Sequence, residues 1–126
     1  MIFSTLAAFQ YAAWEAGSER DIVTASADTP LHEIGKGLHQ SAGCVACHNV
    51  SGADGGLGPT WKGLFGKKRE FEDGSSLAVD ENYLRESIEI PTAKMVKGYQ
   101  PIMPAYKGVL GDSEITAIIE YIKTLK

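Results

Sequence analysis

Cysteine is almost absent from this chain: Cys44 and Cys47 are the only two among 126 residues. A zinc site made of two cysteine pairs is thereby excluded. Basic excess is absent as well. Lys and Arg number 12 against 16 Asp and Glu, for a formal net charge of -4, whereas nucleic-acid binding requires a basic footprint to neutralise phosphates. No apolar run approaches the about 20 residues of a bilayer-spanning helix. The opening MIFSTLAAFQYAAW is uncharged and lacks the basic start and continuous apolar stretch of a secretion signal. What is present is ordinary for one soluble globular domain, with 44% hydrophobic and 22% charged residues.

The charge that exists is unevenly spread. Lys62, Lys67, Lys68, Arg69, Lys94, Lys97 and Lys107 fall in the middle and late chain, and Glu15, Glu19 and Asp21 early. For any one of them a solvated surface is the simple reading. A docking face for a redox partner requires several to share one side.

Hydrophobic spacing predicts an all-α chain whose helices are joined by long loops. Residues 1–16 read as a strand end or turn and a weak helix with Ser4 as N-cap, and GSERDIVTASAD as a linker. Thr29 and Pro30 stand in the order of a cap and a first helical residue. Leu31, Ile34, Leu38 and Ala42 then recur at helical spacing and deliver Cys44 at the helix end. From Asn49 to Val79 glycines dominate, and so long a loop needs an organiser other than secondary structure, such as a large apolar cofactor. VDENYLRESIEI predicts a helix capped by Asp80, stapled by Val79 and Leu84 and stopped by Pro91. A second loop leads to a last helix, stapled by Leu110 and Ile115, with Ile115, Ile118, Ile119, Ile122 and Leu125 as its apolar stripe.

The cysteines occur as CVACH, with His48 directly after the second. In a c-type haem site two thiols add across the porphyrin vinyl groups, and the adjacent histidine reaches the iron from one face. The spacing follows from the rigidity of the porphyrin, since one tight turn must serve three fixed points. A thioredoxin-like pair wants a βαβ context, which is missing. Structural zinc wants four ligands, and the other histidines, His32 and His39, lie upstream in one helix. A disulfide would leave His48 unexplained. The motif therefore predicts one covalent haem c.

The ligand opposite His48 decides whether the iron is closed for electron transfer or open to gases and peroxide. Of three methionines, Met1 is terminal and Met95 lies between Lys94 and Val96 near a helix end. Met103 sits in QPIMPAY, held extended by Pro104, with Tyr99 and Tyr106 available as an apolar, partly hydrogen-bonding wall. A methionine is more often core filler than ligand. With a haem ligated upstream by His48, Met103 becomes the favoured sixth ligand.

Five blocks, GKGLHQSAGCVACH, GLGPTWKGLFG, VDENYLRESI, KGYQPIMPAYKG and EITAIIEYIKTL, together resemble a class I cytochrome c domain over residues 30–126. They are most similar to the version fused to the C-terminus of subunit II in caa-type cytochrome c oxidases. The resemblance implies a cytochrome c fold of about three main helices with haem-wrapping loops. It implies that Gly35 lies where the first and last helices cross, against Tyr121. It also implies that the Pro59 carbonyl orients the His48 imidazole. Trp61 stands where an aliphatic residue is more usual, either packing or reaching a haem propionate. His39 stands where an aromatic such as Phe is usual, and lies too close to His48 in sequence to reach the other haem face.

By the same resemblance residues 1–16, with Phe9 and Trp14, look like the end of a preceding copper domain, and 17–29 like a linker. The implied function is one-electron transfer, with no bond-making catalysis in this domain. The implied partners are a small soluble cytochrome or another respiratory donor, and the copper centre of oxidase subunit II as acceptor. The implied location is the periplasmic face of the cell membrane, tethered through the parent subunit. An independent or anchored monohaem carrier is the alternative reading, and a haem sensor or peroxidase a further one.

Overall fold

The computed structural model describes residues 28–126. Helix α1 spans Leu31–Ser41, α2 spans Glu81–Glu89 and α3 spans Asp112–Thr124, with a short 3-10 turn at Cys44–Ala46. The expectations for residues 1–16 and for most of the linker fall outside the described residues. Helices dominate, as the spacing predicts.

The helix starts show how far local chemistry carries. Asp80 caps α2 by accepting a hydrogen bond from the Tyr83 amide at 2.8 Å, an arrangement worth about 1 kcal/mol. The staple residues on either side, Val79 and Leu84, are both buried. Glu114 accepts from the Gly111 amide at 2.8 Å and closes the start of α3. At α1 the expectation shifts by one residue. Pro30 is the cap, and its carbonyl accepts from Glu33 and Ile34. Leu31, counted in the apolar stripe, is exposed because it sits in the first turn, beyond the helix crossing.

The long loop after Asn49 is less irregular than its glycines suggest. Strands β1 (Lys68–Glu70) and β2 (Ser76–Ala78) pair antiparallel in the register Lys68↔Ala78, Arg69↔Leu77, Glu70↔Ser76. Asp73 accepts from the Ser75 amide at 2.8 Å, and Gly74 takes a left-handed φ of 85°. Asp-Gly is a hairpin signal, but three-residue strands are too short to show alternation in sequence.

The core is the apolar stripe of α3, in which Ile115, Ile118, Ile119 and Ile122 are buried against Leu84 and Ile88 of α2 and against Phe71, Val79 and Leu64. Helix α1 crosses α3 at Gly35. A Cβ there would lie 2.0 Å from the Ala117 carbonyl oxygen and 2.8 Å from the Tyr121 Cβ, so only glycine permits this approach. Arg85 ties α2 to α3 by donating to Asp112 at 2.7 Å and to Thr116 at 2.6 Å. Among the described residues no helix is long and apolar enough to cross a membrane.

Candidate haem site

Helix α1 ends at Ser41 with Ala42 as its C-cap, and Gly43 reverses the chain with a left-handed φ of 81°. The next turn delivers both thiols and the imidazole within one loop. The amides of Cys47 and His48 both donate to the Cys44 carbonyl, at 3.2 and 2.9 Å. Both thiols are half-buried and unpaired, and burial pushes the Cys44 thiol up. Among the described residues no three His, Cys, Asp or Glu side chains gather as a metal site.

The imidazole of His48 is fixed from several sides. Its Nδ1 lies 2.7 Å from the Pro59 carbonyl oxygen. A carbonyl only accepts, so Nδ1 carries the proton and Nε2 keeps the lone pair that a metal requires. Burial chiefly, with Arg69 and His39 as lesser causes, holds the His48 pKa below the usual histidine range against the opposing pull of Pro59. The neutral form is thereby favoured. Trp61 stacks on the ring at 5.4 Å with 28° between planes. Gly58 covers another side so closely that a Cβ there would lie 2.7 Å from Cε1 and 2.9 Å from Nδ1 of His48.

Beyond the imidazole opens a cavity with about 920 Å³ of empty space, open solvent at its mouth included. Cys47, His48, Pro59, Trp61, Tyr99 and Met103 all border it. Cys44 does not, and instead packs its half-buried side chain against the core. Met95 borders the same cavity as Met103, so position alone does not separate the two methionines. The walls are mainly apolar, with Leu57, Leu64, Leu84, Ile88, Val96 and Ile122 among them.

Four residues contribute more than the sequence discloses. Gly58 is one, and its only sequence signal is its place before Pro59. Arg69 is another: it borders the cavity, and its Nε is buried without a hydrogen-bond partner. A buried donor of this kind calls for an acceptor, and the carboxylates of a haem would supply one to an otherwise apolar site. On that orphaned donor, the proton-bearing Nδ1 and the paired thiols, the residues fit a haem c. Tyr106 is the third, its hydroxyl donating to the Ala42 carbonyl at 2.8 Å and so joining the Met103 loop to the end of α1. His39 is the fourth. It is 3% exposed, and its Nε2 donates to the His48 carbonyl at 2.7 Å. A specific bond thus accounts for a histidine where an aromatic such as Phe is usual.

Trp61 is 5% exposed and wedged between the His48 and His39 rings. Packing is the contact seen there. Lys62, Lys67, Lys68, Lys94, Lys97 and Lys107 are all exposed, and Lys94 is paired with Glu86.

Comparison with known proteins agrees with this chemistry. The Cytochrome c family profile matches residues 32–126. Cytochrome c2 iso-2 of Magnetospirillum molischianum is 32% identical over 92 residues, covering 66% of this chain and 91% of that protein. Cytochrome c2 of Rhodoplanes tepidamans is 29% identical over 93 residues, with 66% and 91% covered. Among solved structures, cytochrome cH from Methylobacterium extorquens superposes with a TM-score of 0.54 at 29% identity, over 74% of this chain and 97% of that one. The match in profile and the fit of the cavity lead to one conclusion: the chain belongs to the cytochrome c family, as a class I monohaem cytochrome c that carries electrons on one covalently attached haem.

Proposed function

We propose that Cys44 and Cys47 hold the haem as thioethers, that His48 and Met103 are its two axial ligands, and that the domain delivers single electrons to the copper centre of a haem-copper cytochrome c oxidase. The observation that carries the ligation is one cavity faced both by an imidazole whose Nδ1 is proton-bearing and by methionine thioethers; of Met95 and Met103, the second is chosen for its setting in QPIMPAY, where Pro104 holds it extended. When bound, the haem supplies one-electron chemistry, its iron alternating between Fe(III) and Fe(II).

The chain's own residues keep that change small. Pro59, Gly58 and Trp61 hold the imidazole in one orientation, and the apolar walls exclude water, so little needs to reorganise when charge changes. A thioether ligand favours the reduced state and raises the potential. Arg69 offers a buried donor to a carboxylate at the cavity wall, and Tyr99 closes part of the same wall.

The oxidase setting is supported by the five sequence blocks and by the likeness of residues 1–16 to the end of a copper domain, with 17–29 as linker and 30–126 as the cytochrome domain. In that setting a small soluble cytochrome or another respiratory carrier is the donor. The domain then works on the periplasmic side of the membrane, tethered through its parent subunit. A second reading, an independent carrier, is favoured by the likeness to cytochromes c2.

Two measurements test the proposal. Reduced protein exposed to carbon monoxide at neutral pH should keep its spectrum, because both axial positions are filled. A carbon monoxide complex forming at wild-type Met103 would overturn the closed-iron reading. Reduced protein mixed with an isolated copper domain of such an oxidase should then be oxidised rapidly. Failure there, with fast exchange to other soluble carriers, would favour the independent carrier.

A further inference from the structure

Among the described residues His39 is the one polar or charged residue buried as a whole outside the hydrophobic core, and it makes its bond to the backbone of the residue proposed to ligate iron. It lies one helical turn after Gly35, on the α1 face that meets α3. The close helix crossing at Gly35 therefore fixes its position. From there it touches His48 in two ways. Its Nε2–H donates to the His48 carbonyl at 2.7 Å, and its ring packs 4.7 Å from Trp61, which in turn stacks on the His48 imidazole. Tyr121 of α3 borders the same ring at 6.1 Å.

We infer that His39 is a positioning residue for the His48 ligand, fixing by its hydrogen bond the peptide that follows His48 and, through that peptide, the plane of the imidazole. His48 would otherwise be held by its amide, bonded to the Cys44 carbonyl, and by Nδ1, bonded to Pro59. The bond from His39 secures the remaining polar group and connects a short loop to the helical frame. An apolar aromatic at position 39 fills comparable volume and keeps the contact with Trp61. It supplies no donor, and leaves a part-buried carbonyl without this partner.

The inference rests on the proposed ligation by His48, and the wild type tests that separately. Wild-type protein without a covalent haem bearing two protein axial ligands overturns both proposals. With that established, wild-type protein labelled with 15N and 13C should show the His39 Nε2–H tautomer and a through-hydrogen-bond coupling between Nε2 and the His48 carbonyl carbon. An Nδ1–H tautomer without the coupling overturns the inference whatever the variants do.

His39→Phe and His39→Gln then separate positioning from packing. The amide nitrogen of Gln stands close to the place of Nε2 and keeps a donor. In the ferric form, the shifts of the four haem methyl protons report how the axial ligand planes are turned. His39→Phe should change the spread of those shifts, and His39→Gln should restore most of it. A lower melting temperature in His39→Phe with the wild-type methyl pattern would leave only a packing role, and failure of Gln to restore an altered pattern would remove the hydrogen bond from the explanation. If His39→Phe does not fold, the wild-type coupling and the methyl pattern of His39→Gln still decide: a wild-type-like pattern supports the inference, and an altered one opposes it.

Discussion

The two sides of the cavity are built by opposite means. On the His48 side, residues 44–61 are closely hydrogen-bonded among themselves. Gly58 donates to Cys47, Trp61 to Asn49, and the Asn49 side chain accepts from Ser51, Gly52 and Thr60. On the Met103 side, the hydrogen bonds that reach other parts of the chain gather at the two ends of the loop, and within it Ile102 donates only to Gln100, two residues back. Gly98 donates to Glu72 at one end, and at the other Tyr106 bonds Ile88 and Ala42. Between these ends stand Pro101 and Pro104, which have no amide proton to give. One side is held rigid by its own neighbours, and the other is stretched between distant anchors. Such a contrast suits a site with one ligand fixed and one weaker, soft ligand delivered by a strap.

The largest break in this contrast should come from Gly58→Val. The new side chain would have to displace the His48 ring, against the bond to Pro59. Overpacking and a lost buried bond together should cost about 2–4 kcal/mol. The expected result is a sharp drop in the yield of haem-bearing protein and in its melting temperature. Normal yield with an unshifted melting curve would show that this side is more yielding than its hydrogen bonds indicate.

Met103→Ala tests the other side. It should open the iron to carbon monoxide and lower the potential, while costing less stability than Gly58→Val because the methionine is only half-buried in a loop anchored elsewhere. Met95→Ala should do neither, although Met95 borders the same cavity. Reversed roles in carbon monoxide titrations would reassign the ligand. Tyr106→Phe is milder. It removes the 2.8 Å bond to Ala42 at a cost of about 1 kcal/mol and should loosen the Met103 strap. Carbon monoxide should then bind reduced protein slowly, at a rate between wild type and Met103→Ala; a wild-type rate would detach the strap's stability from that bond.

The same contrast explains what the sequence discloses. CVACH is legible because its chemistry lies within five consecutive residues, and Asp80 and the α3 stripe are legible because capping and periodicity are local. The β1–β2 hairpin is hidden because three-residue strands carry no alternation. Tyr106 and Ala42 meet across 64 positions, and no local pattern announces that bond. His39 reads as a misplaced core residue until its partner, a backbone carbonyl nine positions on, is seen. Arg69 reads as part of a basic surface run, KKRE. Its burial depends on β1 turning that side chain against the cavity while Lys68 and Glu70 face outward.

Arg69 supplies the smallest expected effect and the finest test of the contrast. Its Nε has no protein acceptor, so a guanidinium there is explained best by a carboxylate of the haem. A cation beside a carboxylate favours the ionised form and lowers its pKa. Removing it in Arg69→Gln should raise that pKa. Ionisation of a nearby carboxylate stabilises Fe(III) over Fe(II), so the potential falls as pH rises through the pKa, and in the variant this fall should move to higher pH. Above that range the variant's potential should also lie below wild type, because a positive charge near the iron has been lost. The two ligand bonds should be untouched, leaving the reduced protein closed to carbon monoxide. A pH profile superimposable on wild type would mean that Arg69 faces no carboxylate, and that the cavity wall meets its cofactor through apolar contact alone.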